Sequence, residues 1–407
     1  MSAATTDRGV RLSAALTLFL CFCTATIEGI DLQSMGIAAP KLGPEFGLGP
    51  SQLKWVLLAS PLGLFFGAFI GGRIADALGR KTALVAAMLM FGVFQLCTVW
   101  APGYWAMIGI RFACGLGLGG ALPNLIALVS EASGKNKLLN VVITAAGMPT
   151  GGAIASYIAF AGGETGDWRT VFYVGGIAPL VLAPIMLLCL PESARFREAK
   201  AAALEAGRKL NTLKALFGDG RAIATLLLWV GFFGTTLVTY LLLNWLPTLM
   251  VGKGFTRTEA SFIQIFFNVG AAVGSIALGW LMQQKPSRMI LFVCYAGVAV
   301  SLVGLMYVGK NETLAEVGEA LVGAFLLGGQ YILYGLTPSF YGTEIRGTGA
   351  GAAVAVGRLG SAIGPYLGGV LLGSGSNSTQ VLQSLLPVTG VAAVAAILLM
   401  FCRRTEI

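Results

Sequence analysis

Four charged side chains stand out within the apolar runs of this sequence: Glu28 and Asp31 in one, Arg111 in a second and Arg358 in a third. Leaving any of them unpaired in hydrocarbon costs at least about 2.5–3.5 kcal/mol, so each is a candidate for chemistry. Glu28 and Asp31 are three residues apart and share a helix face with Thr24 and Met35. The chain has no His, so a carried proton must ride on a carboxylate, and a His-ligated metal is excluded by the same count. Arg111 offers Asp31 a cation, and the expected depths put both in the outer third of their helices. The two are therefore predicted to pair, with a carboxylate that gains and loses a proton as its surroundings change and with Glu28 as a partly solvated neighbour. A permanent structural ion pair is the competing reading. Arg358 falls near the middle of a run that holds no acid. Its planar guanidinium would match a substrate carboxylate bidentately, or else bond to backbone carbonyls.

Around these charges, polar and aromatic residues recur at helical spacing. Tyr240 and Asn244 are i, i+4 neighbours beside Trp245; Gln330 with Tyr334 and Gln264 with Asn268 repeat the spacing. Such faces suit a ring and its hydroxyl. Interfacial anchoring competes for Trp245, and bonding between helices competes for Gln264 and Asn268.

The elements that position these residues follow from composition. Only 11% of the 407 residues are charged and 56% are apolar, too little polar surface for a soluble protein of this size. Twelve runs are long enough to span a bilayer, at 12–37, 53–75, 82–100, 105–129, 139–161, 170–190, 222–246, 259–282, 289–308, 317–338, 348–372 and 381–402. The expected fold is all-α and membrane-embedded, with an N-terminal six-helix half at 1–190, a cytoplasmic link at 191–221 and a C-terminal six-helix half at 222–407. Most of the 27 Lys and Arg then fall on one side, which places both termini in the cytoplasm and assigns the net charge of +9 to topology and a lipid-facing link rather than to nucleic acid. Cys21 and Cys23 form C-x-C with no further ligand nearby and read as buried thiols, not a metal site.

The halves repeat each other weakly. Gly72-x-x-x-Asp76-x-x-Gly79-Arg80-Lys81 after span two has a worn counterpart from Gly279 to Lys285 after span eight, Glu131 recurs as Glu344, and Gly147 and Gly151 recur as Gly360 and Gly364. Such repeats suit a carrier with a midplane site between its halves. Gly also recurs every four residues at Gly63, Gly67 and Gly71, at Gly360, Gly364 and Gly368, and in the pairs Gly147, Gly151 and Gly270, Gly274. These smooth faces are expected to form a seam on which the halves rock, with packing inside each half as the alternative. Asp76 is expected to face the positive N-terminus of span eleven near Gly347 as a lock on the inner side.

At these residues the chain resembles the major facilitator superfamily along essentially its whole length. The loop from Gly72 to Lys81 is similar to that superfamily's first cytoplasmic signature, and Arg111-Phe112-Ala113-Cys114-Gly115-Leu116-Gly117 to its fourth-helix signature. Glu28-Gly29-Ile30-Asp31, Pro191-Glu192-Ser193 and the run from Tyr341 to Gly349, with Glu344 and Arg346, resemble its aromatic acid/proton symporter branch. Ala121 to Leu128, Asn244-Trp245-Leu246-Pro247 and Ala353 to Gly360 carry the likeness toward carriers of hydroxyphenylpropionates within that branch. Gln283 stands where the second-half loop usually has Asp, which implies a weaker gating network in that half. The resemblance implies import of hydroxylated aromatic carboxylates, of hydroxyphenylpropionate or hydroxybenzoate type, by proton symport across a bacterial cytoplasmic membrane through alternating access. Proton coupling is assigned to Asp31, Glu28 and Arg111; substrate contact to Arg358, Tyr240, Asn244, Trp245, Gln330, Tyr334 and Asn268; gating to Gly72, Asp76, Gly79, Arg80, Lys81, Glu131 and Arg346. A proton-coupled exporter of drugs or metabolites from the same superfamily is the rival reading. No GxxxxGK[ST] loop, H-E-x-x-H or G-x-S-x-G occurs, so no nucleotide, cofactor, metal or catalytic residue is expected, and the partners are the aromatic carboxylate, protons and the bilayer.

Overall fold

Hydrocarbon offers a backbone no partner but itself, and the described apolar runs of this chain are helical. The computed structural model describes residues 2–121, 125, 128–129, 132–133, 137–190, 216–218, 220–282, 284, 286–341 and 345–402, and no strand occurs among them. In chain order the helices are α1 (Ser2–Glu45), α2 (Pro50–Leu78), α3 (Arg80–Cys97), α4 (Tyr104–Gly119), α5 (Lys137–Ala145), α6 (Gly147–Ala161), α7 (Arg169–Cys189), α8 (Ala222–Gly252), α9 (Arg257–Leu281), α10 (Ser287–Tyr307), α11 (Glu312–Leu336), α12 (Arg346–Gly373) and α13 (Ser378–Leu399). Among the described residues, eleven stretches are long and apolar enough to cross a membrane, α5 and α6 contributing one of them as Asn140–Ala161. α4 opens the remaining expected span, 105–129, whose continuation falls partly on residues outside those described. Polar caps set several starts: Thr256 and Glu259 form a reciprocal capping box on α9, Asn377 and Gln380 do the same on α13, and Asn311 caps α11.

Glycine determines how closely these helices approach, and the glycines of the periodic faces do so inside each half. A Cβ on Gly63 would run into the Phe112 carbonyl and one on Gly67 into that of Leu116, so α2 lies backbone to backbone on α4. Gly147 and Gly151 on α6 abut Phe22 and Thr26 of α1, while Gly29 of α1 abuts Met148. The second half repeats the arrangement: Gly270 and Gly274 of α9 face Ala320 and Ala324 of α11, and Gly360 and Gly364 of α12 face Phe233 and Leu237 of α8. The expectation that these glycines form a seam between the halves is thus corrected. Their faces are consumed by neighbours in the same half, because only a missing side chain lets two backbones touch and gain full dispersion contact.

By proximity the chain forms two compact units. One comprises Met1–Ser34, Leu62–Gly152 and Arg169–Arg208; the other comprises Met35–Pro61, Ala153–Trp168 and Lys209–Ile407. The second unit therefore takes in the last turns of α1, the first turns of α2 and the later part of α6. Within it Gly36 abuts the Leu243 and Asn244 backbone, and Gly369 abuts Pro50 and Lys54. The Lys41 ammonium donates to the carbonyls of Gly163 at 2.6 Å and Gly166 at 3.0 Å, and the Trp168 indole donates to Glu45 at 2.6 Å. Glu164 accepts from the Thr258 amide and hydroxyl, both at 2.8 Å. These Thr258 hydrogen bonds hold the Glu164 carboxyl below the usual carboxylate range.

A candidate proton-coupling centre and a candidate carboxylate site

In the first unit, Asp31 of α1 and Arg111 of α4 meet as a fully buried ion pair, Arg111 Nη1 donating to Asp31 Oδ1 at 2.8 Å. The same Nη1 donates to Gln95 Oε1 on α3. Gln95 Nε2 in turn donates to Ser34 Oγ at 3.3 Å, and Ser34 Oγ closes the circuit onto the Asp31 carbonyl at 2.8 Å. Cys114, one turn along α4 from Arg111, points its thiol at Asp31 Oδ1 at 3.5 Å. The guanidinium lies 5.7 Å from the centroid of the buried Phe172 ring of α7, a cation–π contact that adds weak attraction. Gly175 supplies the space for Gln95: a Cβ there would stand 2.9 Å from Gln95 Nε2.

The pair is end-on, not bidentate. Asp31 Oδ2 and Arg111 Nε have no hydrogen-bond partner although both are buried. A buried carboxylate oxygen with vacant lone pairs is where a proton can bind without displacing the guanidinium. Glu28, one turn back on the same face, is 1% exposed, so it is buried rather than partly solvated as the sequence suggested. Sequence reasoning missed Gln95, Ser34, Cys114 and Phe172. Gln95 alone left a signal, as an amide inside the apolar run of α3.

In the second unit, Arg358 of α12 is half-buried and its Nη1 donates to the phenol oxygen of Tyr240 on α8 at 3.3 Å. Gln330 on α11 accepts from Thr239 of α8 at 3.2 Å, and Tyr334 packs edge-on against Phe232 with centroids 4.9 Å apart. Thr236 ties α8 to α12 by donating to the Gly357 carbonyl at 2.7 Å. Tyr240, Gln330, Tyr334 and Arg358 thus come from three helices linked by direct bonds. Asn244 and Asn268 each turn their amide back onto their own helix, to the Tyr240 and Gln264 carbonyls at 2.9 Å and 3.0 Å. Trp245 is fully buried and donates its indole N–H to the Pro365 carbonyl at 2.7 Å, which makes it part of the α8–α12 packing in this conformation and not an anchor at a membrane surface.

Of the expected gating residues, Gly79 joins α2 to α3 at φ 100°, a left-handed conformation that demands glycine, and Arg80 and Lys81 open α3. Gly72 and Asp76 belong to α2 and Arg346 opens α12; of their side chains, and of Glu131, Glu344 and Gln283, the described residues include nothing. The same holds for the expected lock between Asp76 and Gly347. Among the described residues no cluster of His, Cys, Asp or Glu could hold a metal.

Residues 17–365 match the family model described as Major Facilitator Superfamily. The chain belongs to that superfamily. As a superfamily member it is a multi-pass membrane transporter and not an enzyme. It is 43% identical to a 3-(3-hydroxy-phenyl)propionate transporter of Escherichia coli (strain K12), over 96% of this chain and 95% of that one. A 4-hydroxybenzoate transporter of Pseudomonas aeruginosa is 33% identical over 94% of this chain and 91% of its own length. The superfamily fold is equally plain in three dimensions: the crystal structure of a D-xylose-proton symporter superposes with a TM-score of 0.77 at 17% identity, covering 94% of this chain and 96% of the other.

Proposed function

We propose that this transporter imports a hydroxylated aromatic carboxylate by proton symport with alternating access, using the proton gradient as its only energy source. The observation that carries the reading is the half-buried Arg358 guanidinium beside the Tyr240 phenol. A planar cation with a phenol at its side offers a carboxylate a fork of donors, and the Gln330 and Tyr334 face supplies amide and ring contacts for a hydroxylated arene. Aromatic acids are also what the relatives described above are named for. Asp31 is the proton carrier in this reading: its vacant Oδ2 takes the proton, Arg111 stabilises the carboxylate after release, and Glu28 lies one turn away as a relay. Asn244, Trp245 and Asn268 shape the site through their backbone bonds. Gly72, Asp76, Gly79, Arg80, Lys81, Glu131 and Arg346 gate the cytoplasmic side of a bacterial inner-membrane protein with both termini in the cytoplasm, whose halves 1–190 and 222–407 are joined by the link 191–221.

The test is uptake of labelled 3-(3-hydroxyphenyl)propionate into proteoliposomes under an inward proton gradient, for wild type and Asp31→Asn. Gradient-driven accumulation that the variant loses while it retains substrate exchange is the expected result. A folded wild type that accumulates no aromatic acid, but extrudes one or another solute against its gradient, would overturn import.

A further inference from the structure

The second half holds a carboxyl that none of these roles uses. Glu319 lies in the third turn of α11, is fully buried, and neither of its carboxyl oxygens has a hydrogen-bond partner. Its position is fixed by the glycine packing. Gly63 on Phe112 and Gly67 on Leu116 in the first half correspond to Gly270 on Ala320 and Gly274 on Ala324 in the second, an offset of 207 along α2 to α9 and 208 along α4 to α11. That offset carries Arg111 onto Glu319. The equivalent shift from α1 to α8, read from Phe22 and Thr26 onto Phe233 and Leu237, is 211 and carries Asp31 onto Leu242, which is fully buried. Where the first half pairs an acid with a cation, the second therefore has an acid at the cation's position and a leucine at the acid's.

Among the described residues no cation is bonded to Glu319. Gly323, one turn on, abuts Phe267 and Ala271, so Glu319 stands level with Ile263 and Gln264 of α9, both fully buried; Ala315 and Val322 flank it on its own helix. The titratable groups on the helices packed against α11 are Arg257 and Glu259 on α9, Arg288, Cys294, Tyr295 and Tyr307 on α10, and Tyr240 on α8 with Arg221 and Lys253 at its two ends, together with Glu312, Glu316, Tyr331 and Tyr334 on α11 itself. None of them bonds to either Glu319 oxygen. A carboxylate so enclosed, with no donor bonded to either oxygen, is costly, and the neutral acid is the form that such an environment tolerates.

We propose that Glu319 is a second proton-binding site, which holds a proton in this conformation and exchanges it with water when α11 becomes accessible during transport. The exchange step rests on the symport reading above; the protonated state does not. Infrared spectra of the purified protein at neutral pH should contain a protonated-carboxyl C=O band that moves in D2O, is lost in Glu319→Gln and persists in Glu319→Asp. A Glu319→Gln spectrum identical to wild type would overturn the site. In proteoliposomes, reversal potentials for aromatic acid uptake should show the ratio of protons to substrate falling by one in Glu319→Gln. An unchanged ratio with the band lost would overturn the exchange step while leaving the site. A wild type that moves no protons would remove symport and exchange together, and the band alone would then decide whether Glu319 binds a proton.

Discussion

The Asp31 centre of the first unit and the Arg358 centre of the second are built from the same kinds of group and end in opposite states. Arg111 is sealed in, with a carboxylate at 2.8 Å, an amide oxygen and an aromatic face all drawn from its own half. Arg358 is half-buried and its bond to Tyr240 is to a neutral phenol. A guanidinium enclosed with a carboxylate has no face left for a ligand, whereas a half-buried one beside a phenol keeps part of its surface within reach of an anion. On this contrast rests the proposal that the first centre couples the proton and the second meets the substrate.

The strongest way to break that contrast is to remove one partner of the sealed pair. Arg111→Ala should destabilise the protein by about 3–5 kcal/mol, the cost of leaving a buried charge uncompensated, and should be read as a large fall in the thermal midpoint in detergent. The double variant Asp31→Asn with Arg111→Gln should lose much less than the two single losses added together; strict additivity would mean that the pair is not coupled. At the second centre, Arg358→Lys should fold normally yet raise KM by roughly 10- to 150-fold, corresponding to about 1.5–3 kcal/mol for a bidentate charged hydrogen bond. If kcat fell and KM did not, Arg358 would belong to the moving parts and not to the substrate.

Smaller effects test the frames that hold each centre. Gly151→Ala, which drives a methyl into the Thr26 carbonyl, and Gly360→Ala, which meets the Phe233 carbonyl, should each cost about 1–3 kcal/mol of stability by overpacking, whereas Gly279→Ala, with open space around it, should be neutral. The smallest effect concerns the clasp between Glu164 and Thr258. The folded carboxyl is held below its ordinary value, so the clasp contributes fully above the unfolded carboxylate pKa of about 4.3 and loses that contribution as pH falls through the folded value. The thermal midpoints of wild type and Glu164→Gln should differ slightly at pH 7 and converge at acid pH; a gap that persisted there would exclude the carboxylate as its source.

Much of this was legible in the sequence, and what was not has physical reasons. Opposite charges inside apolar runs have few ways to be satisfied, so the positions of Asp31 and Arg111 announced each other. Ser34 and Cys114 are small enough to sit anywhere in a membrane helix and announced nothing. The glycine faces were visible as smooth stripes, but periodicity tells that a backbone is exposed for contact and not which helix touches it; the partners turned out to lie in the same half. Glu319 was hidden by its neighbours. It falls only three residues into the expected span 317–338, close behind Glu312 and Glu316, and only the packing of Gly270 on Ala320 shows how deeply the third acid is enclosed. Trp245 misled in the other direction, since a tryptophan near a span's end resembles a surface belt until the bond to Pro365 is seen.

The Cys114 thiol, 3.5 Å from the Asp31 carboxylate, also gives the experimenter a native reporter. A mercurial can reach that sulfur only after the packing around the ion pair has parted, so the rate at which it is modified is a clock for the opening of the Asp31–Arg111 pocket. Substrate, pH and each substitution discussed above can then be compared by how far they speed or slow it.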